Sequence, residues 1–326
     1  PRTDTAHFVD PSNGVVRTRS AGGDWFRNWS AWSPSGVPGP RDTVTLSGGA
    51  NTNDYPVHIG SLLLTNATLV FTNWAAQLTA DGDVTIATNS TVTQVGCYLY
   101  PGSMSNRVHI TAHHVRIDGT IDVTAKGYYR GRYPDWGPAI DGQGPGKGIH
   151  VNSSGTGGGH GGEGGRSSDY TPGGATYGSV SNPIGPGSGG AWGANHVPEG
   201  GGNGGGSVRI DASGDITLNG TIKADGGDVQ PDWGGGGSGG AIWINCWNFK
   251  GAAGTNLTAK GGQTASGGGG GGGGRIAVWY AHFWEYQGTN SVTGGVNTAN
   301  GIYNGLPGTY VAVYAPPPQG MFLLFR

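Results

Sequence analysis

Charge is scarce in this chain. Only 12% of its 326 residues are Asp, Glu, Lys or Arg, and the formal net charge is −2. That excludes the basic stripe by which a nucleic-acid binder meets phosphates. No apolar run reaches the ~18–20 residues that span a bilayer as a helix; the longest, Ile59 to Val70, is broken by polar residues. There is no initiator Met and no charged segment followed by an apolar stretch, so the start at Pro1 fits a processed, exported protein. Apolar residues at helical spacing are missing too. The nearest helix candidate, Ala281–Gln287, is short and aromatic. Cysteine is limited to Cys97 and Cys246, which allow one disulfide or two isolated thiols, at a spacing unlike a metal site.

What the chain has is glycine: 70 residues, with 19 prolines. On composition alone that suggests a low-complexity linker. The placement says otherwise. Tracts at Gly200–Gly206, Gly234–Gly240 and Gly267–Gly274 run straight into short apolar segments, Ser207-Val-Arg-Ile, Ala241-Ile-Trp-Ile and Arg275-Ile-Ala-Val-Trp. A further tract occupies Gly157–Gly165. Elsewhere Val, Ile, Thr, Trp and Tyr alternate with polar residues in short runs bounded by Gly, Asn or Asp, as in Thr43–Leu46, Ser61–Leu64, Thr68–Phe71 and Val84–Ile86. That is the pattern of half-buried strands.

A unit also repeats. Val115-Arg-Ile-Asp-Gly-Thr-Ile-Asp-Val-Thr-Ala-Lys-Gly returns as Ile216-Thr-Leu-Asn-Gly-Thr-Ile-Lys-Ala-Asp-Gly-Gly and, more loosely, from Phe249. A strand-only unit too small to bury its own core must stack on its copies. The expected fold is all-β: a right-handed parallel β-helix with Val, Ile and Leu inward. Ordering a glycine costs roughly 0.5–1 kcal/mol more than ordering an alanine, so the tracts are expected either to stay loose or to pack side by side as polyglycine-II-like excursions. Their adjacency to strands favours packing. The expected organisation is an N-terminal arm and cap over 1–45, a β-helix over 46–285 with its main excursion at 126–206, and C-terminal cap or assembly strands over 286–326.

Trp25–Pro56, with Asn-Trp-Ser-Ala-Trp-Ser-Pro and Arg-Asp-Thr-Val-Thr-Leu, is similar to the opening of bacterial surface and autotransporter-like β-helix proteins. The block from Gly157 to Tyr280 resembles their glycine-rich repeat regions. The resemblance covers about half the chain and implies fold and a secreted or cell-surface location; it carries little about activity. The given residues carry no membrane-barrel pattern up to Phe322-Leu-Leu-Phe-Arg326, so self-anchoring in the autotransporter manner is not expected of them.

Candidate chemistry concentrates in Lys126–Glu199. If the protein is an enzyme, Arg130, Tyr133, Asp135, His160, Glu163, Arg166, His196 and Glu199 are the candidate proton-transfer and charge-stabilising groups of a polysaccharide lyase or glycoside hydrolase. Tyr128, Tyr129, Trp136 and Trp233 are candidate sugar-stacking rings. Packing against glycine accounts for the same residues: Arg and Asp bridging tracts, and His160 filling a gap. His160-x-x-Glu163 and His196-x-x-Glu199 lie in glycine loops with no helix to set metal geometry. No cofactor motif is present, and calcium held by loop carbonyls is the one ion the pattern leaves open. The expected role is an extracellular structural protein: a filament, matrix or adhesin subunit, self-associating head to tail through Pro1–Val16 and the apolar C-terminal strands. The alternatives are a carbohydrate-active enzyme or a non-catalytic carbohydrate-binding adhesin, so polysaccharide is the other expected partner.

Overall fold

The computed structural model describes residues 14–19, 23–24, 29–96, 106–132, 140–193, 200–229 and 233–316. It is all-β, with two single-turn 3-10 segments at Trp29–Ala31 and Gly301–Tyr303. No helix among the described residues is long and apolar enough to cross a membrane. Three parallel sheets hold nearly all the strands. The first runs Val16–Arg19, Thr43–Leu46, Ser61–Leu64, Val84–Ile86, Val115–Ile117, Ile216–Leu218, Phe249–Gly251 and Trp284–Tyr286. The second runs Gly23–Asp24, Ala50–Asn53, Thr68–Phe71, Thr91–Gln94, Thr120–Asp122, Thr221–Lys223, Asn256–Thr258 and Thr289–Ser291. The third runs Val57–Ile59, Leu78–Ala80, Val108–Ala112, Ser207–Ala212, Ala241–Cys246, Arg275–Tyr280 and Thr309–Tyr314.

From Thr43 onward the chain visits the sheets in strict rotation, first, second, third, and each visit adds one strand beside the previous one. The sequence repeat is this rotation. Val115 pairs with Ile216 and Ile216 with Phe249, so the three copies stack in register. Parallel pairing extends beyond both expected boundaries, from Val16 to Tyr314.

Alternation along each strand sends every second side chain inward. Stacking then turns those positions into columns: Leu64, Ile86, Ile117 and Leu218 in the first sheet, Leu69, Val92, Ile121, Ile222 and Leu257 in the second, Leu78, Ile110, Ile210, Ile244 and Val278 in the third. All are fully buried.

The two ends of the core close differently. At the N-terminal end Arg17 lies where the columns above have aliphatics, paired with Asp42 at 2.8 Å and donating to the Pro34 and Ser35 carbonyls, and Trp32 is buried there. Burial pushes the Asp42 pKa up, but bonds from Arg17, Val15 and Gly39 outweigh that and hold it below the usual carboxylate range. At the C-terminal end the core meets rings: Phe249 lies 5.2 Å from Trp284 and 5.0 Å from Tyr286, and Tyr280 lies 5.3 Å from Trp284.

Every glycine tract lies in one connection, from the second sheet to the third: 123–206, 224–240, 259–274 and 292–308. The last three run out from the rod and return. Their backbones bond laterally with a period of three. Gly235 and Ser238 donate to Ala191 and Ser188, Gly236 and Gly239 to Gly269 and Gly272, and Gly237 and Gly240 to Gly227 and Ala224. A chain with three residues per turn aims successive N–H groups ~120° apart, so residues i and i+3 meet one neighbour. The same segment accepts from Gly158, Gly202, Gly205 and Gly262, and is therefore enclosed by neighbours on all sides. Side chains have no place there: a Cβ on Gly271 would lie 1.9 Å from the Gly237 carbonyl oxygen, and one on Gly237 1.9 Å from that of Asn203.

Candidate functional site

The long excursion 123–206 holds the candidate residues singled out from the sequence, Trp233 apart, and its described part folds into the same lateral bonding. Tyr128 is buried; its N–H donates to Gly187 and its carbonyl accepts from Gly204. Tyr129 lies under the Arg132 guanidinium at 4.9 Å. The Arg130 N–H donates to Asn203 Oδ1 at 3.0 Å. Trp233 lies close over Gly267, where a Cβ would come within 2.6 Å of its ring. Glu163 is exposed, its carbonyl accepting from Leu306. Arg166 is exposed as well, with its guanidinium 5.2 Å from the Tyr170 ring. Tyr133, Asp135, Trp136, His196 and Glu199 lie outside the described residues, as does Cys97. Arg130, His160, Glu163 and Arg166 are joined to one another by no hydrogen bond or ion pair. Cys246 is a free, buried thiol whose pKa burial pushes up to about 12, Asp215 adding to the rise.

His160 has a structural place in the glycine array. Gly158 donates to Gly236, and by the period of three Gly161 would donate to Gly239. It donates to Gly273 instead, and the His160 ring takes over, Nδ1–H donating to the Gly239 carbonyl at 2.9 Å. The ring packs on Tyr177 at 4.7 Å and is wholly buried. Burial pushes its pKa down to about 4, so the ring is neutral near pH 7. Arg275 ties the same place together, donating to the carbonyls of Tyr177 and His160.

Among the described residues the most developed polar surface lies elsewhere, along the corner between the third and first sheets. The residue just before each first-sheet strand stacks on its counterparts: Asp83, His114, Asp215, Asn248, Phe283. Their backbones bond in sequence, Val84 to His114, Val115 to Asp215, Ile216 to Asn248 and Phe249 to Phe283. Asp83, Thr85, His114, Arg116, Asp215 and Thr217 line an open cleft of about 250 Å³ on this corner.

Most of the polar groups here are held. His114 Nδ1 accepts from the Asp215 N–H at 2.8 Å, which leaves the proton on Nε2. The Asp215 carboxylate accepts from Asn248 Nδ2 at 2.5 Å and Lys250 Nζ at 2.7 Å. Burial alone would raise the Asp215 pKa; those two bonds outweigh it and hold it low. The bond from Asp215 raises Lys250 in turn. Arg116 Nε and Asn219 Nδ2 both donate to Asp118. Asp83 is exposed on its turn. Further along, the corner becomes aromatic. Trp247 stacks 5.6 Å from His282, and Phe283 is 53% exposed.

Asp83 and Asp215 are separated by two strand spacings, about 9–10 Å. That is at or beyond the upper end of the range over which an acid and a base carboxyl flank a water in sugar hydrolysis. Asp215 is kept ionised by Lys250, so it is not held protonated to act as the acid. The corner is equipped to form hydrogen bonds. The sequence signal for it was the polar residue preceding each repeat (His114, Asp215, Asn248), whose stacking only register reveals.

Comparison with protein-family models, curated proteins and solved structures yields no match.

Proposed function

We propose that the protein is an extracellular structural protein: a right-handed parallel β-helix stiffened along one corner by a polyglycine-II-like bundle, acting as a rigid subunit of a surface layer, matrix or filament. The observation that carries this reading is the enclosure of Gly235–Gly240 by laterally bonded backbones, joined at each turn to strands of the stacked sheets. A solenoid alone resists bending through neighbour contacts only. Here the segments also cross-link turns far apart in sequence, such as 155–162 with 233–239 and 269–273. Such a body suits bearing load. The described candidates for catalysis do not converge.

The ends bear on assembly. Val16–Arg19, with the buried Arg17–Asp42 pair and Trp32 beside it, is an outermost strand at the N-terminal end, and Thr309–Tyr314 is an outermost strand at the other. Open strand edges are where a further chain adds. Of the exposed large apolar side chains, Phe283, Val296, Ile302, Leu306 and Tyr314 belong to that last turn, against Val16 at the N-terminal end. The proposed association uses the C-terminal end, where more of these side chains are exposed.

Electron microscopy of the purified chain, with unfolding under force by atomic-force microscopy, tests the reading. Straight rods that join by one end and unfold in a single high-force event are expected. Isolated particles that extend gradually at low force would overturn it.

A further inference from the structure

The corner between the third and first sheets is not needed for a load-bearing rod, and its chemistry selects a ligand. The cleft offers a free carboxylate (Asp83), a fixed carboxylate (Asp215), an imidazole N–H (His114), a guanidinium (Arg116) and two hydroxyls (Thr85, Thr217). Donors and acceptors alternate along the rod axis at the strand spacing of ~4.8 Å. The charges nearly balance: Arg116 is engaged with Asp118 and Lys250 with Asp215. With Asp83, Asp118 and Asp215 set against Arg116 and Lys250, the cleft keeps a small negative excess that disfavours a polyanion. It satisfies a neutral ligand carrying many hydroxyls, since an ionised carboxylate accepts from two neighbouring hydroxyls at once.

The aromatic extension adds the apolar half of the same recognition. Trp247 is 39% exposed, on the turn after Asp215, and Phe283 follows on the turn after that. A flat ring with water on one face and a donor–acceptor row beside it suits a sugar ring, which has apolar C–H faces and a polar rim. Asp83 to Phe283 spans four strand spacings, about 19 Å, room for several sugar units end to end. The supporting bonds hold the groups in place before any ligand arrives, which lowers the cost of ordering them.

We propose that this corner binds an uncharged oligosaccharide chain lying along the rod axis, with hydroxyls on Asp83, His114 and Asp215 and ring faces on Trp247 and Phe283. The site holds its ligand without cleaving it. The proposal separates from assembly at Asp83, His114, Asp215 and Trp247, which lie on earlier turns; only Phe283 belongs to the last turn.

The test is titration calorimetry of the full chain with the uncharged hexaoses of cellulose, xylan, mannan and β-1,3-glucan, and with hexagalacturonate as the charged counterpart. At least one uncharged hexaose is expected to bind saturably, with Kd between about 10 μM and 1 mM. Asp83→Ala and Trp247→Ala are each expected to weaken it about tenfold while leaving the thermal midpoint unchanged. The corresponding triose should bind more weakly, because it reaches fewer turns. Hexagalacturonate should bind at least tenfold more weakly, because its carboxylates face Asp83 and Asp215. No saturable binding of any uncharged hexaose up to about 10 mM, a range that covers weak single-site contacts, would overturn the proposal. So would binding unaffected by both substitutions, tighter binding of hexagalacturonate, or the release of new reducing ends. Loss of binding with rods intact refutes the site alone, whereas soft, non-associating particles that still bind refute the load-bearing reading alone.

Discussion

The molecule fills its interior in two ways, side by side. Within the three sheets, volume is occupied by side chains, with Ile110, Ile210, Ile244 and Val278 stacked in columns from turn to turn. In the flank between the second and third sheets it is occupied by backbone, with Gly237, Gly262 and Gly271 in direct contact. The first region excludes water by apolar area and tolerates exchange among residues of similar volume. The second excludes water by hydrogen bonds and tolerates almost nothing beyond a hydrogen atom. One is adaptable and the other brittle.

The largest expected effect comes from adding an atom to the brittle region. Gly271→Ala places a methyl 1.9 Å from the Gly237 oxygen with fixed backbone on the other side, so relief requires moving several segments together. A loss above about 5 kcal/mol is expected, beyond the ordinary range of point substitutions. It would be read as failure to yield folded protein or as a thermal midpoint below that of any core variant. The internal control is Gly301→Ala, where the nearest atom, Asn304 Nδ2, stands 3.6 Å away; a change within ~0.5 kcal/mol is expected. If both glycines behave alike, the contrast between the two regions collapses.

Removing atoms from the adaptable region should cost less. Ile110→Ala leaves a cavity in a fully buried column and should lose about 2–5 kcal/mol with the fold retained. Chemical denaturation of the two variants side by side ranks the regions directly.

Acid probes the brittle region through the buried His160 ring. His160 is held at a pKa of about 4 in the fold, against ~6.5 when exposed. Between those values the unfolded chain binds more protons than the folded one, so stability falls as pH drops from about 6.5 through 4 and then levels off. The loss from this group amounts to roughly 3 kcal/mol. The difference in stability between the native chain and His160→Gln, followed across that window, isolates it. A difference that does not change with pH would place the ring in water.

The smallest effect sharpens the view of the adaptable side. Cys246 closes a third-sheet strand with its thiol buried and its pKa near 12, so a thiol reagent at pH 8 should label it only as fast as the rod opens. Prompt labelling in native buffer would show that the last turns breathe.

The described ladder was legible to an unusual degree. Thr43–Leu46, Ser61–Leu64, Thr68–Phe71 and Val84–Ile86 are strands as their alternation predicts, and the repeats at Val115, Ile216 and Phe249 stack as copies. A period of two and a repeat that cannot bury itself are local signals, and one strand after another obeys them. Trp284–Tyr286 is also a strand, within Ala281–Gln287, the sequence's nearest helix candidate. The corner was not legible. Asp83, His114 and Asp215 are far apart in the chain, and each alone is an ordinary turn residue.

Alternation and repetition in the sequence alone determined that the chain is all-β and that its repeats stack, because both follow from which side chains a strand can hide. Tertiary structure alone decided where each glycine tract lies, because glycine carries no side chain to specify a neighbour and only the period of three, closed against surrounding backbones, selects one. It also decided that His160 would serve as a backbone donor in that array, and that acids and rings from five separate turns would share one edge, since both depend on the register in which the turns are stacked.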